Sequence, residues 1–256
     1  MVQDKRSLEQ EANQLFDEKK YQEAGELYLQ AAKTFQRQEK HGRAAICLAA
    51  SASSLALILG ERTYHRVAGL YEEAAKEAEA SKDLEYASML YKFAAVCYER
   101  DHDNNAFSEC LFLSKEAYRR FLRLDLFNSK KTSNNVILRF NLQLVMKRFI
   151  PLITSTFSSL IWGHGERPHR TIGFGLTLIL MFAVLYSFGH FSKGNVILRM
   201  DLLQSIYFSF TAYTKVGPED FSPVGINKAI AVIEAFIGIF TIPLYLTGLC
   251  RKYLRY

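Results

Sequence analysis

The chain has 256 residues and a mass of 29.3 kDa, enough for one large or two small domains. Residues 1–130 carry 19 Lys and Arg against 21 Asp and Glu, whereas residues 131–256 carry 13 against 5. This asymmetry excludes a single globular domain, and a hydrophobic share of 49% with 13% aromatic residues excludes a disordered or fibrous chain.

Charge, cysteine and histidine positions limit the partners. The net charge of +6 does not indicate a nucleic-acid partner, because the excess of basic residues lies beside long apolar runs. The four cysteines and six histidines form no CxxC pair or ligand cluster, so we expect no metal site. Free cysteines fit a reducing compartment, and the first sixteen residues lack the apolar run of a signal peptide.

From Leu8 to Leu124 the chain reads as successive amphipathic helices, because apolar residues recur at i, i+3, i+4 and i+7. The predicted helices are Tyr21–Phe35, His41–Leu59, Thr63–Ser81, Leu84–Arg100 and Ala106–Leu122. Short polar or glycine-containing connections place consecutive helices antiparallel and side by side. A helix pair then recurs about every 40 residues, the period of a solenoid.

Two phrases in this region, AGELYLQAAKTF and EYASMLYKFAAVCYERD, resemble tetratricopeptide repeats, in particular the longer-helix version of the soluble NSF attachment proteins. The resemblance implies a helical repeat domain, which we assign to residues 1–127 and expect in the cytoplasm. Two roles stay open for it: a surface that binds a protein partner or a ligand, and a packed spacer. The polar run Asp101–Asp103 is interpreted as a solvated turn rather than an acid–base site.

Residues 128–170 are predicted to connect this domain to the membrane. The polar run Asn128–Asn135 indicates a linker, and Asn135–Ile161 is amphipathic, basic and interrupted at Pro151. Such a helix can lie in the membrane interface with its basic residues toward anionic lipid. The alternative is a last repeat helix that caps the solenoid.

Two apolar runs predict transmembrane helices. Residues 172–191 contain no Asp, Glu, Lys or Arg, and at 1.5 Å per residue they cover about 30 Å, the hydrocarbon thickness of a bilayer. Residues 229–250 form a second run that contains one carboxylate, Glu234. An even number of spans puts both termini on one side, and flanking basic residues favour the cytoplasmic side of the plasma membrane.

Between the two spans lies Leu202–Thr214, an apolar segment too short to cross a bilayer, followed by a turn rich in Gly, Pro and acidic residues. A short apolar helix followed by irregular backbone is typical of a re-entrant pore helix. Irregular backbone at membrane depth must be surrounded by protein or line water. One copy cannot enclose a channel, so several subunits must surround an axis.

The segment SIYFSFTAYTKVGPEDFSP is similar to the pore helix and filter of the two-transmembrane potassium-channel superfamily, whose usual form reads LYFSFTTLTTVGYGDITP. The matching residues are Tyr207, Phe208, Ser209, Phe210, Thr211, Thr214, Val216, Gly217, Asp220 and Pro223. Upstream, residues 162–168 (WGHGERP) resemble a segment that precedes the first span in bacterial members. The resemblance implies an all-α membrane protein: a homotetramer in the lipid bilayer, with a pore module over residues 171–256.

The predicted filter (residues 215–220, preceded by Thr214) departs from the family's TVGYG. Lys215 stands at the position of the threonine, and Pro218 and Glu219 replace the tyrosine and the second glycine. Potassium selectivity uses rings of carbonyl oxygens and a ring of threonine hydroxyls. Pro218 fixes φ near −65° and removes an amide, and Glu219 stands where the family has the glycine that permits left-handed backbone. We therefore expect ordinary potassium selectivity to be lost.

Three interpretations of the filter stay open. In the first, which we favour, Lys215 points behind the filter and pairs with Glu219, Asp220 or Glu234, leaving a weakly selective pathway for monovalent cations. In the second, a ring of lysines makes a pore that tolerates anions or is shut. In the third, the module does not conduct and anchors a scaffold whose repeats recruit a protein partner.

The second span carries three further candidates. Glu234 is an ionisable residue inside a span and could brace the pore helix or reach the interface. Gly238 and Pro243 could make a flexible point that acts as a gate, although both residue types are also common in membrane helices. No constellation in the sequence supports an enzyme, and no cofactor is expected besides a permeant monovalent cation.

Overall fold

The computed structural model describes residues 3–58, 64–132, 142–194, 196–217 and 221–253. Two compact units divide the chain, Met1–Phe157 and Ser158–Tyr256. Helices dominate both units, and the second unit also contains a small sheet.

The first unit contains a series of antiparallel helices. They are α1 (Gln3–Asp17), α2 (Tyr21–Gln36), α3 (His41–Ala56), α4 (Tyr64–Ala80), α5 (Leu84–Arg100) and α6 (Asn104–Thr132), followed by the start of α7 (Leu142–Trp162). From α1 to α6 each helix packs against the next one in the chain. The predicted helical N-terminal domain is therefore confirmed, whereas its likeness to tetratricopeptide repeats stays a prediction.

The same turn recurs between helices of this unit. Lys19, Glu39, Lys82 and His102 each adopt left-handed backbone, with φ between 56° and 66°. In two of these turns an aspartate follows and caps the next helix: the side chain of Asp83 accepts from the amide of Tyr86, and that of Asp103 accepts from the amide of Ala106. The polar run Asp101–Asp103 is thus part of a helix connection, as its interpretation as a turn requires.

Helices two apart in the chain are also joined. Arg43 of α3 contacts Glu9 of α1 at 2.7 Å, and Arg120 of α6 contacts Glu79 of α4 at 2.8 Å. Gln36 of α2 donates to two carboxylates of α4. Alternate helices therefore share a layer, and the unit has two layers of helices.

The core between these layers consists largely of alanine, which lets helix backbones approach closely. Its buried alanines include Ala31, Ala32, Ala44, Ala45, Ala52, Ala74, Ala75, Ala78 and Ala87. Larger side chains such as Phe35, Leu48 and Tyr91 fill the remaining space. Because alanine also has the highest helix propensity, the same residues stabilise the helices and their contacts.

Two buried thiols of this core should be unreactive. Burial raises the pKa of the Cys47 thiol to about 12 and that of Cys110 to about 12. Because the thiolate is the reacting species, we expect iodoacetamide at pH 8 to alkylate both at least about a thousandfold more slowly than an unfolded chain. Mass spectrometry of the full-length protein, with and without urea, measures this ratio, and equal rates in both would contradict the packing described.

The end of α6 corrects one boundary. The helix continues to Thr132, so residues 128–132 are helical where the sequence analysis begins a linker. Lys and Ser are found in helices as well as in loops. Extending an existing helix needs no new nucleation, so the helix can continue through this polar run. Residues 133–141 lie outside the described residues. α7 runs through Pro151 without ending there, and the boundaries of the functional domains stay predictions.

The second unit contains α8 (Pro168–Ser187), α9 (Leu202–Thr214) and α10 (Ile226–Tyr253), with strands β1 (Phe191–Lys193), β2 (Val196–Leu198) and β3 (Ser222–Pro223). Both Pro168–Ser187 and Ile226–Lys252 are long and apolar enough to cross a membrane. α9 has the bounds predicted for the pore helix and packs against both of these helices.

The ends of the predicted spans need correction. The run 172–191 was expected to be helical throughout, but α8 ends at Ser187 and Phe191 begins a strand. Apolar composition could not separate the helix end from the strand, because an apolar residue such as Phe191 suits both a spanning helix and the buried strand position that it occupies. At the other span, α10 extends beyond the predicted run 229–250 at both ends.

Candidate functional site

The site is built around α9, whose two ends are defined by local residues. Asp201 and Gln204 form a capping box at its start, which satisfies free amides of the first turn. At its end Lys215 adopts left-handed backbone, with φ 64° and ψ 17°. The amide of Gly217 then donates to the carbonyl of Thr211 at 3.3 Å, so the chain turns back on the helix.

The first predicted filter residues, Thr214–Gly217, form this turn. The Thr214 hydroxyl donates to the carbonyl of Phe210, four residues earlier in the same helix, at 2.8 Å. Lys215, Val216 and Gly217 are exposed on the single chain. Pro218, Glu219 and Asp220 lie outside the described residues.

Glu234 of α10 joins all three helices of the unit. Its side chain is fully buried and accepts hydrogen bonds from the hydroxyl of Tyr186 in α8, at 2.7 Å, and from that of Ser209 in α9. The Ser209 hydroxyl also lies 2.8 Å from the carbonyl oxygen of Ile179 in α8. In a lipid environment such a carboxyl group is tolerated only where protein groups satisfy it.

These bonds correct one expected pairing. The sequence analysis offered Glu234 as a partner for Lys215, but both carboxylate oxygens of Glu234 contact hydroxyl donors in the core. Lys215 is exposed, so it does not share the buried position of Glu234. The other two candidate partners of Lys215 are outside the described residues.

An aromatic cluster surrounds the Glu234 network. Ring centroids of Tyr186 and Phe208 lie 4.9 Å apart, and those of Phe191 and Phe208 lie 4.8 Å apart. Edge-to-face contacts of this kind exclude solvent and fix the orientation of α9. The Tyr186 hydroxyl is therefore held at the carboxylate by packing as well as by its hydrogen bond.

The residues that follow the predicted filter belong to a small sheet, which the sequence did not indicate. Strand β1 pairs with β2 on one side and with β3 on the other, so the segment after the filter is tied to the segment after α8. Phe221 is buried with the aromatic cluster, and Val224 and Asn227 both donate to the carbonyl of His190. The described residues on both sides of the predicted filter are thus held by hydrogen bonds and packing.

The inner-helix candidates lie in a continuous helix. α10 runs unbroken through Gly238 and Pro243. Gly238 faces the backbone of α9: a Cβ added there would collide with the carbonyl oxygen of Tyr213. Close packing is therefore one reason for a glycine at this position, and its role as a gate stays a prediction.

A second contact joins the start of α8 to the end of α10. Glu166 follows a tight 3-10 turn, Gly163–Gly165, and its side chain is 1% exposed. Arg251 of α10 reaches it at 3.3 Å, and the guanidinium lies against Gly165. Arg251, near the end of α10, thus contacts two residues of the WGHGERP segment, Gly165 and Glu166.

Replacing Arg251 with Gln should weaken this contact. The change removes the cation beside a buried carboxylate, so we expect the free energy of unfolding of the full-length protein's C-terminal unit to fall by about 1–2 kcal/mol. Chemical unfolding in detergent micelles measures it, with Lys228→Gln at the exposed start of α10 as the matched control. Equal stability of the two variants would show that the ion pair contributes nothing.

Comparison with known families gives one match. Residues 171–255, a third of the chain, match the family model Ion_trans_2, described as an ion channel. Comparisons with curated proteins and with solved structures give no match. The matched range contains α9 and the sheet together with nearly all of α8 and α10.

The C-terminal unit therefore carries an ion-channel domain of the two-span potassium-channel type. The chain is an all-α membrane protein with a helical N-terminal domain, and the predicted fold class is confirmed. Ion transport rather than catalysis is the activity that this domain indicates.

Proposed function

We propose that this protein is a homotetrameric channel with a weakly selective pore for monovalent cations. The observation that carries the proposal is the exposed chain Lys215–Gly217 at the end of a pore helix that both spanning helices hold. Residues that face an axis shared by four subunits must be open on each single subunit. The ion-channel match over the same residues supports this reading.

Weak selectivity follows from the backbone at the filter entrance. A left-handed Lys215 closes the helix and cannot supply the threonine hydroxyl that the potassium filter uses. We infer that Lys215 pairs with Glu219 or Asp220, which leaves an acidic mouth attractive to cations. The permeant ion is then a monovalent cation held by few protein oxygens.

The N-terminal domain is proposed to regulate or localise the pore from the cytoplasm, with both termini on that side of the plasma membrane. The side chains of Ile150, Ile153, Phe157 and Leu160 on α7 are 50–65% exposed at spacings of three and four residues. This apolar stripe supports a helix that lies in the membrane interface just before the first span.

A non-conducting scaffold is the second candidate. On α5 the apolar side chains of Met89, Phe93 and Val96 are exposed at i, i+4 and i+7. One exposed stripe on a helical domain is typical of a surface that receives a partner protein. In this case the membrane unit would only anchor the domain.

Flux through reconstituted protein separates the candidates. The full-length protein is placed in liposomes and tested under K⁺, Na⁺ and Cl⁻ gradients, with empty liposomes as the control. Flux of both cations without Cl⁻ supports the proposed channel. Cl⁻ flux favours the lysine-ring interpretation, and no flux under any gradient favours the scaffold. Chemical crosslinking of the same preparation tests for four subunits.

A further inference from the structure

Tyr213, two residues before Lys215, lies between glycines of both spanning helices. Its side chain is buried, with the hydroxyl over Gly175 of α8 and the main-chain carbonyl over Gly238 of α10. We call Gly175 and Gly238 the glycine seat. Among the described residues, no other residue of α9 is found among the nearest neighbours of glycines in both spans.

The fit at both glycines is too close for a methyl group. A Cβ at Gly175 would lie 2.8 Å from the Tyr213 hydroxyl oxygen and 3.4 Å from the ring carbon that bears it. A Cβ at Gly238 would lie 3.0 Å from the carbonyl carbon of Tyr213, besides its collision with the carbonyl oxygen. Because real Cβ atoms do not approach so closely, alanine at either site must displace Tyr213 or a helix.

If the side chain of Tyr213 is displaced, a neighbouring crevice offers space for it. A crevice of about 170 Å³ lies beside the seat, lined by Thr171, Gly175, Tyr213, Thr241 and Tyr245 among others. The unit can therefore stay folded when Tyr213 is displaced, and a displacement that includes its main chain, which packs against Gly238, moves the end of α9. Thr214 and Lys215 follow directly, so such movement reaches the filter within two residues.

We propose that the glycine seat is a positioning site for the filter: it sets how deeply the end of α9 lies between the two spans, and thereby which ions pass. Tyr213 is the positioning residue and does not itself contact the ion. The proposal rests on the proposed channel function and gives Gly238 a packing role in place of a hinge. Glu234 fixes α9 one turn earlier, and the seat fixes its end.

Gly175→Ala tests the seat against a matched control on the same helix. Gly173 is exposed and has nothing within 4 Å of an added Cβ, so Gly173→Ala changes helix propensity by the same amount without a contact. We expect Gly175→Ala to shift the K⁺ to Na⁺ permeability ratio by about twofold or more and to lower Tm. Gly173→Ala should do neither.

Tyr213→Phe provides a rescue. It removes the oxygen at 2.8 Å and leaves an ordinary contact, so the double variant Gly175→Ala with Tyr213→Phe should recover both the permeability ratio and Tm. If Gly175→Ala alone does not assemble, recovery of assembly in the double variant supports the seat, and failure to recover overturns it. Gly238→Ala should not be rescued, because its contact is with the backbone.

The two measurements separate the possible failures. If the wild-type protein carries no current, the proposed channel function fails. The Tm values of the wild type, Gly175→Ala, Gly173→Ala and the double variant still test the seat. If Gly175→Ala lowers Tm but leaves the permeability ratio unchanged, the seat is structural only and the positioning proposal is overturned. Equal behaviour of Gly175→Ala and Gly173→Ala in both measurements overturns the seat itself.

Discussion

Replacing Glu234 with alanine is expected to lower the free energy of unfolding of the C-terminal unit by about 3 kcal/mol. The change leaves the buried hydroxyls of Tyr186 and Ser209 without their shared acceptor and opens a cavity among three helices. Each lost bond between membrane helices costs about 0.6–1.7 kcal/mol, and the cavity adds to this. Unfolding of the full-length protein in detergent micelles, followed by tryptophan fluorescence of Trp162, measures the loss.

Glu234→Gln is the matched control for this prediction. The amide keeps the shape and one acceptor oxygen, so we expect a loss of under about 1 kcal/mol. Ser209→Ala and Tyr186→Phe each remove one donor and should lie between the two. If Glu234→Ala is as stable as the wild type, the carboxylate does not join the helices and the network has no energetic role.

Neutralising Lys215 should increase cation current by at least about tenfold in the reconstituted channel. Neutralising Lys215 leaves its proposed acidic partner unpaired at the mouth of the pore. A unit charge about 6 Å from an ion contributes about 3 kcal/mol at an effective dielectric constant near 20, and a tenfold change needs only about 1.4 kcal/mol. Because Lys215 has φ 64°, Asn is the suitable replacement: it tolerates left-handed backbone, whereas a β-branched threonine is strained there.

Two variants make this measurement specific to charge. Lys215→Arg keeps the charge and should leave the current near that of the wild type, whereas Lys215→Thr combines neutralisation with backbone strain. Single-channel recording of all three, at low and high salt, separates these effects, since screening weakens the charge effect at high salt. Unchanged conductance and ion preference in Lys215→Asn would show that this residue does not shape permeation.

The bounds of α9, the predicted pore helix, could be predicted from sequence because they depend on local residues. Leu202–Thr214 is bounded by a capping residue at Asp201 and by polar and glycine residues at its end, and the structure keeps these limits. The end of the first span was not predictable in this way. Hydropathy continues to Phe191, and the structure alone shows that the chain leaves the helix after Ser187 and that Phe191 pairs in β1 with β3, about thirty residues away.

In the candidate site, too, single residues were predictable from the sequence and their long-range contacts were not. Glu234 stood out in the sequence as an ionisable residue in an apolar run, but its partners did not, since Tyr186 and Ser209 lie 48 and 25 residues away. The expected pairing with Lys215 was wrong for the same reason. It was inferred from opposite charge alone, whereas helix packing places the hydroxyls of Tyr186 and Ser209 beside the carboxylate. For Gly238 the sequence shows the glycine and not the carbonyl packed against it, so its packing contact was not predictable, and its role as a gate stays a prediction.

The sequence by itself determined the division into a charged helical half and an apolar half with two spans and a short helix between them. These features depend on composition and periodicity within one segment, where local physics decides. Tertiary structure alone decided the sheet that follows the predicted filter, the contact of Arg251 with Glu166 and the close packing of Tyr213 against Gly175 and Gly238. Each joins residues far apart in the chain, and only close packing of folded helices brings them together.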